Sequence, residues 1–140
     1  MTLSLATATK IALTALETAA QENVTTISVV VTDVGGAIRV AMRGDNVGPF
    51  VIEAALGKAK TAIGFNSRSS RMAQFFGGNP SGTAGLVGVT DGRFLPIAGG
   101  VLIHDKDGVL LGAAAVAGSS PENDERFAIA GVTAVDLVVP

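Results

Sequence analysis

Along the first twenty residues, apolar side chains recur at Ala8, Ile11, Ala12, Ala15, Leu16 and Ala19. This spacing lines one face of a helix. Ser4 is placed to cap that helix, and Glu22-Asn23 ends it. The pattern then changes to a β-branched run, Thr26 to Thr32, with Ile27, Val29, Val30 and Val31 reading as a buried strand. Asp33-Val34-Gly35-Gly36 is a turn, and Ala37 to Met42 is the returning strand of a hairpin. Residues 47–64 read as a second helix, with Pro49 in its first turn and Gly64 at its C-terminal end. Its Val51, Ala54, Ala55, Ala59 and Ala62 form a narrow face of small residues. A short helix is expected over Ser69 to Phe76.

Residues 77–92 are the least regular stretch, with Gly77, Gly78, Gly82, Gly85, Gly88, Gly92 and Pro80. Leu86 to Thr90 is expected as a short strand and the rest as a mobile loop. Apolar runs follow at Phe94 to Ile97 and Gly100 to His104. The Asp105-Lys106-Asp107-Gly108 turn leads into Val109 to Ala117, a strong hairpin signal. Ser119-Ser120-Pro121 opens the last helix, with Glu122, Asp124 and Glu125 near its positive end and Phe127, Ala130, Ala134 and Val138 facing inward. The order α-β-β-α-α-β-β-α contains hairpins, not β-α-β crossovers. It predicts an α+β domain with an antiparallel sheet, and residues 1–140 read as a single domain.

Composition narrows the function classes. Hydrophobic residues make up 48% of the 140 and charged residues 16%, against about 25% charged in average chains, so a disordered chain is excluded. A net charge of -2 argues against non-specific nucleic-acid binding, which needs a basic footprint. The absence of cysteine removes disulfides, thiolate metal sites and a thiol nucleophile. Met1 to Lys10 has no basic segment leading into an apolar stretch, and no apolar run approaches the ~18 residues of a membrane span. The expectation is a soluble cytoplasmic protein that touches no membrane. A mean hydropathy of +0.49 is high for a small monomer, and predicts apolar faces buried against other copies in a homo-oligomer.

The motif search is mostly negative. Gly77 to Gly82 lacks the Lys-Ser/Thr of a phosphate loop. Ser119 and Ser120 read as helix caps, and Asp105, Asp107 and Gly108 as a hairpin turn, not a calcium loop. His104 is the only histidine, hence the only imidazole available to a metal. It stands at a strand end, where a solvated role is the plain alternative. Met42 and Met72 offer sulfur, although core filling is the usual task of methionine.

Charge placement says more. Between Ala54 and Thr90 lie Lys58, Lys60, Arg68 and Arg71 and no acid, with Arg39, Arg43 and Arg93 flanking. From Phe94 onward there are six acids and two bases. Either the basic middle pairs with the acidic end, within the fold or between subunits, or Arg43 and Lys58 line a pocket for a carboxylate-bearing ligand. Asp124 and Glu125 stabilise a helix start, or one of them acts as a general base beside Arg43 or Lys58.

Several segments resemble one family in order and spacing. They are Ser28 to Gly36, Arg43-Gly44-Asp45-Asn46, Ala55 to Ala62, Gly99-Gly100-Val101, Asp107-Gly108, Leu111-Gly112-Ala113, Gly118, and Asn123-Asp124-Glu125 followed by Ala128 and Ala130-Gly131. The chain resembles the family of GlcG, the haem-binding protein HbpS and the C-terminal domain of PduO, over nearly its whole length. It departs from the usual pattern at Gly44 and at Leu102, where Gly99-Gly100-Val101-Leu102 stands for the usual Gly-Gly-x-Pro. The resemblance implies an antiparallel sheet of about five strands with helices on both faces, a three-layer, profilin-like arrangement, in homo-oligomers.

The resemblance implies a small-molecule-binding protein, with haem or another carboxylate-bearing molecule as ligand. Arg43, Asp45, Lys58, Gly99 and Gly100 would line the site, and His104 is the candidate iron ligand. A second reading is a cofactor-independent isomerase, tautomerase or lyase on a small oxo- or hydroxy-acid, with Asp124 or Glu125 moving the proton. A third is a structural partner of a catabolic enzyme or sensor.

Overall fold

The computed structural model describes residues 2–140. Helix α1, Leu5–Gln21, begins where the Ser4 hydroxyl accepts the Thr7 N–H at 3.1 Å. It buries Ala8, Ile11, Ala12, Ala15 and Ala19. Strands β1, Ser28–Asp33, and β2, Ile38–Arg43, form the first hairpin. In its turn Asp33 Oδ1 accepts the N–H groups of Gly35 and Ala37 at 2.9 and 3.0 Å. Helices α2, Pro49–Phe65, α3, Ser69–Phe76, and α4, Pro80–Val89, come next. Strands β3, Gly100–His104, and β4, Leu110–Ala117, form the second hairpin, and α5, Pro121–Thr133, closes the order.

The sheet is antiparallel throughout, in the order β2-β1-β4-β3. Among the described residues it has four strands, one fewer than expected. The C-terminal tail adds only a single bridge, in which the backbone groups of His104 and Val138 exchange hydrogen bonds of 2.9 Å at the outer edge of β3.

Helices cover both faces, so the three-layer expectation holds. On one face α1 and α5 bring Ile11 and Phe127 onto bulky sheet residues, Val29, Val31, Val101, Ile103 and Val116. On the other face α2 lays its own Ala55, Ala59 and Ala62 on Ala113 and Ala115, with Val30 and Leu102. Backbone therefore approaches backbone. A Cβ on Gly100 would lie 2.3 Å from the Lys58 carbonyl oxygen. At the α1–α5 crossing, a Cβ on Gly131 would lie 2.5 Å from the Ile11 carbonyl oxygen.

Four expectations need correction. Residues 80–89 are helical, not a strand and loop. Asn79 accepts the Gly82 N–H with its side chain at 2.9 Å, and Pro80 stands at the first helical position, so a good start outweighs poor glycine propensity. Phe94 to Ile97 is not a strand. The Phe94 N–H is taken by the Thr90 hydroxyl at 3.0 Å and the Leu95 N–H by the Thr61 hydroxyl at 2.8 Å, while Pro96 has none to give. Helix α2 ends at Asn66 in the left-handed region (φ 47°), not at Gly64. In α5 the inward stripe is Asp124, Phe127, Ala128, Gly131 and Val132. Ala130 is only half-buried, and Ala134 and Val138 are exposed, because the helix ends at Thr133.

Candidate functional site

At the end of the sheet formed by Gly100 of β3 and Ala117 of β4, two layers are joined through one side chain. Lys58 projects from the inner face of α2 and is buried. Its Nζ donates to Asp124 Oδ2 at 3.0 Å and to the Val116 carbonyl at 3.1 Å. Asp124 lies in the first turn of α5, which packs on the opposite face of the sheet. Its Oδ1 accepts the Ser119 N–H at 2.9 Å. Burial pushes the Asp124 carboxyl above its ordinary value, and the charge and hydrogen bond of Lys58, then the backbone N–H groups of Ser119 and Gly118, pull it back.

Two glycines make this pairing possible. Gly99 has φ 137°, and a Cβ there would lie 2.4 Å from the Val116 oxygen and 2.9 Å from Lys58 Nζ. Gly100 is pressed between the α2 backbone and Ser69. Its N–H donates to the Ser69 hydroxyl at 2.8 Å, which ties the outer edge of β3 to the start of α3. Next to Asp124, Glu125 accepts from the Ser70 hydroxyl at 2.6 Å and lies 3.9 Å from Arg68. Arg68 also donates to the Pro140 carbonyl at 2.8 Å. The basic middle and the acidic end thus pair within the fold, through Lys58–Asp124 and Arg68–Glu125.

The remaining expected residues are dispersed. Arg43 and Asp45 are exposed, at and just beyond the end of the outer strand β2. Arg43 stands opposite Ser28, which stands opposite Ala117, so β1 separates it from the β4 carbonyl that Lys58 reaches. Gly44 fits a close approach, because a Cβ there would lie 2.6 Å from the Ile27 carbonyl oxygen. His104 is at the other end of β3 from Gly100, about 13 Å away at the rise of a strand. Its Nε2 is buried and has no hydrogen-bond partner among the described residues. Lys58 and Asp124 are buried and His104 is half-buried.

The structure therefore joins Lys58, Gly99, Gly100 and Asp124, and leaves Arg43, Asp45 and His104 apart from them. Sequence reasoning gave Ser69 and Ser70 no role at the site and read Ser119 only as a helix cap. A serine at a helix start carries a cap signal, but nothing in the chain says which distant strand or acid its hydroxyl or N–H will meet.

The pairing of α2 with the N-terminal turn of α5, around the Gly99-Gly100 end of β3, brings together three of the segments whose order suggested a family, Ala55 to Ala62, Gly99-Gly100-Val101 and Asn123-Asp124-Glu125. Residues 3–133 match the family described as haem degrading protein HbpS-like. The chain belongs to the HbpS-like family. It is 33% identical to HbpS in its crystal structure, with a TM-score of 0.82, covering 96% of this chain and 90% of that one. It is 32% identical to a double mutant of HbpS from Streptomyces reticuli, with a TM-score of 0.81, covering 96% and 87%. A PduOC–heme complex is 24% identical with a TM-score of 0.86, covering 99% and 98%, a likeness of fold alone. No curated protein matches. Among the described residues, no helix is long and apolar enough to cross a membrane.

Proposed function

We propose that this HbpS-like chain is a haem-binding protein that works as a homo-oligomer. The match to the HbpS-like family over residues 3–133 carries the reading. Large exposed apolar side chains support self-association: Phe50, Phe75 and Val89 are 79%, 76% and 82% exposed.

Little supports histidine ligation of the haem iron. The Nε2 of His104 is buried at the far end of β3 from Gly100, and Met42 packs against the core between α1 and the sheet. Lys58 is committed to Asp124, so it is not free to hold a haem carboxylate. The reading of Asp124 as a base on a small acid finds little support, since both of its oxygens are occupied by Lys58 and Ser119.

The test is a haemin titration followed by absorbance in the Soret region. A saturable shift that persists in His104→Ala is expected. A non-saturating, featureless titration would overturn the haem reading.

A further inference from the structure

The sequence showed a surplus of positive charge in its middle, and internal pairing absorbs only Lys58 and Arg68. Lys60 and Arg93 are left without ion pairs among the described residues. The fold brings both to one pocket of about 260 Å³, between the C-terminal end of α2, the 90–94 segment and the β1–β2 turn. Phe65 and Phe94 form its aromatic wall, packed edge to face with ring centres 5.1 Å apart. No acidic side chain lines it.

The polar groups here are arranged to donate. Arg93 Nε is anchored on the Thr90 carbonyl at 2.6 Å, which fixes the guanidinium and leaves its two terminal nitrogens for another partner. The buried Thr61 hydroxyl accepts the Leu95 N–H, so its own proton remains to be given. Asp33, near the turn, is already turned onto the N–H groups of Gly35 and Ala37. The C-terminal end of α2 opposes an anion with roughly half a negative charge. Two full positive charges exceed it.

We infer that this pocket binds the carboxylate of a small planar aromatic acid, with Lys60, Arg93 and Thr61 on the carboxylate and Phe65 and Phe94 beside the ring. The volume suits a metabolite-sized group, being just below the usual range for drug-sized ligands, about 300–1,000 Å³. The same chemistry is presented by a free aromatic acid and by a carboxylate arm of a larger planar molecule such as haem. The inference stands on the pocket itself and does not depend on the haem reading.

The test uses the full chain with benzoate as probe and benzamide as its neutral counterpart. Benzoate is expected to raise the melting temperature saturably and to move the amide resonances of Gly35 and Thr61, while benzamide does neither. Arg93→Gln and Lys60→Gln should each weaken benzoate at least about tenfold, with Arg93→Lys retaining part of the affinity. Arg93 is exposed and Lys60 half-buried, and the melting temperatures of the three variants without ligand check that they fold. Absence of a saturable benzoate response, equal binding of benzamide, or unchanged affinity in both glutamine variants would overturn the inference. If haemin displaces benzoate, the pocket takes an arm of the larger ligand. If benzoate binds and haemin does not compete, the ligand is a free acid.

Discussion

Lys58 on α2 and Asp124 on α5 form an ion pair of 3.0 Å although their helices lie on opposite faces of the sheet. The side chains are 5% and 2% exposed, so water contributes little to either charge. Such a pair is a weak source of net stability, but removing one partner strands the other, at a cost of about 3–5 kcal/mol. Lys58→Met should therefore lower the unfolding free energy by that order in denaturant titrations. Combining it with Asp124→Leu should recover a large part, since neither charge is then buried. A double variant that loses the sum of the two single costs would show that the pair acts chiefly through packing.

The same pair sets a pH dependence. The folded-state value of Asp124 is raised above 3.8, first by burial, so the folded chain holds this proton more tightly than the unfolded chain. Its contribution to stability is fully present below 3.8 and is lost as pH rises through the raised folded value. Lys58→Met removes the two largest influences that pull the value down and extends the window upward. The destabilisation caused by Lys58→Met should then shrink on acidification, as Asp124 takes up its proton. Unfolding free energies across a pH series measure this, and a penalty that stays constant into acid would contradict it.

Gly99 is where the pair meets the backbone. Its φ of 137° is strained for any other residue, and a Cβ would lie 2.4 Å from the Val116 carbonyl oxygen. Gly99→Ala should cost about 1–3 kcal/mol from backbone conformation alone, with the clash adding to it. A melting temperature equal to that of the unaltered chain would show that β3 and Lys58 can shift at no cost.

Local patterns in the chain gave away its local structure. The apolar stripe of α1, the Ser4 cap, the Asp-Gly turn and the β-branched run of β1 each depend on neighbours in sequence, and all of them hold. The misreadings lie where distant groups decide. Phe94 to Ile97 has strand-like apolar residues, but hydroxyls of Thr61 and Thr90 take two of its N–H groups. The stripe of α5 was set by the close crossing at Gly131 and Ile11. At the site, Lys58, Gly99, Gly100 and Asp124 were visible as individual candidates. Their union was not, because it requires knowing that one lysine passes the end of β3 to reach the opposite layer. Arg43 and His104 looked equally suitable and lie elsewhere.

The helix at residues 80–89 gives the last prediction, because its start and its composition pull in opposite directions. Asn79 supplies a side-chain cap at 2.9 Å, and Asn79→Ala should cost about 0.5–2 kcal/mol of local stability. Gly85 sits mid-helix with open space around a would-be Cβ and an ordinary helical φ. Gly85→Ala should therefore strengthen the helix by about 1 kcal/mol. The helix touches little besides α3, so both effects should appear as local opening. Amide hydrogen exchange over residues 83–89 should speed up in the first variant and slow down in the second, while exchange in β1 and β4 stays the same. Equal exchange in both variants would mean that the helix is held by its packing and not by its cap and propensity.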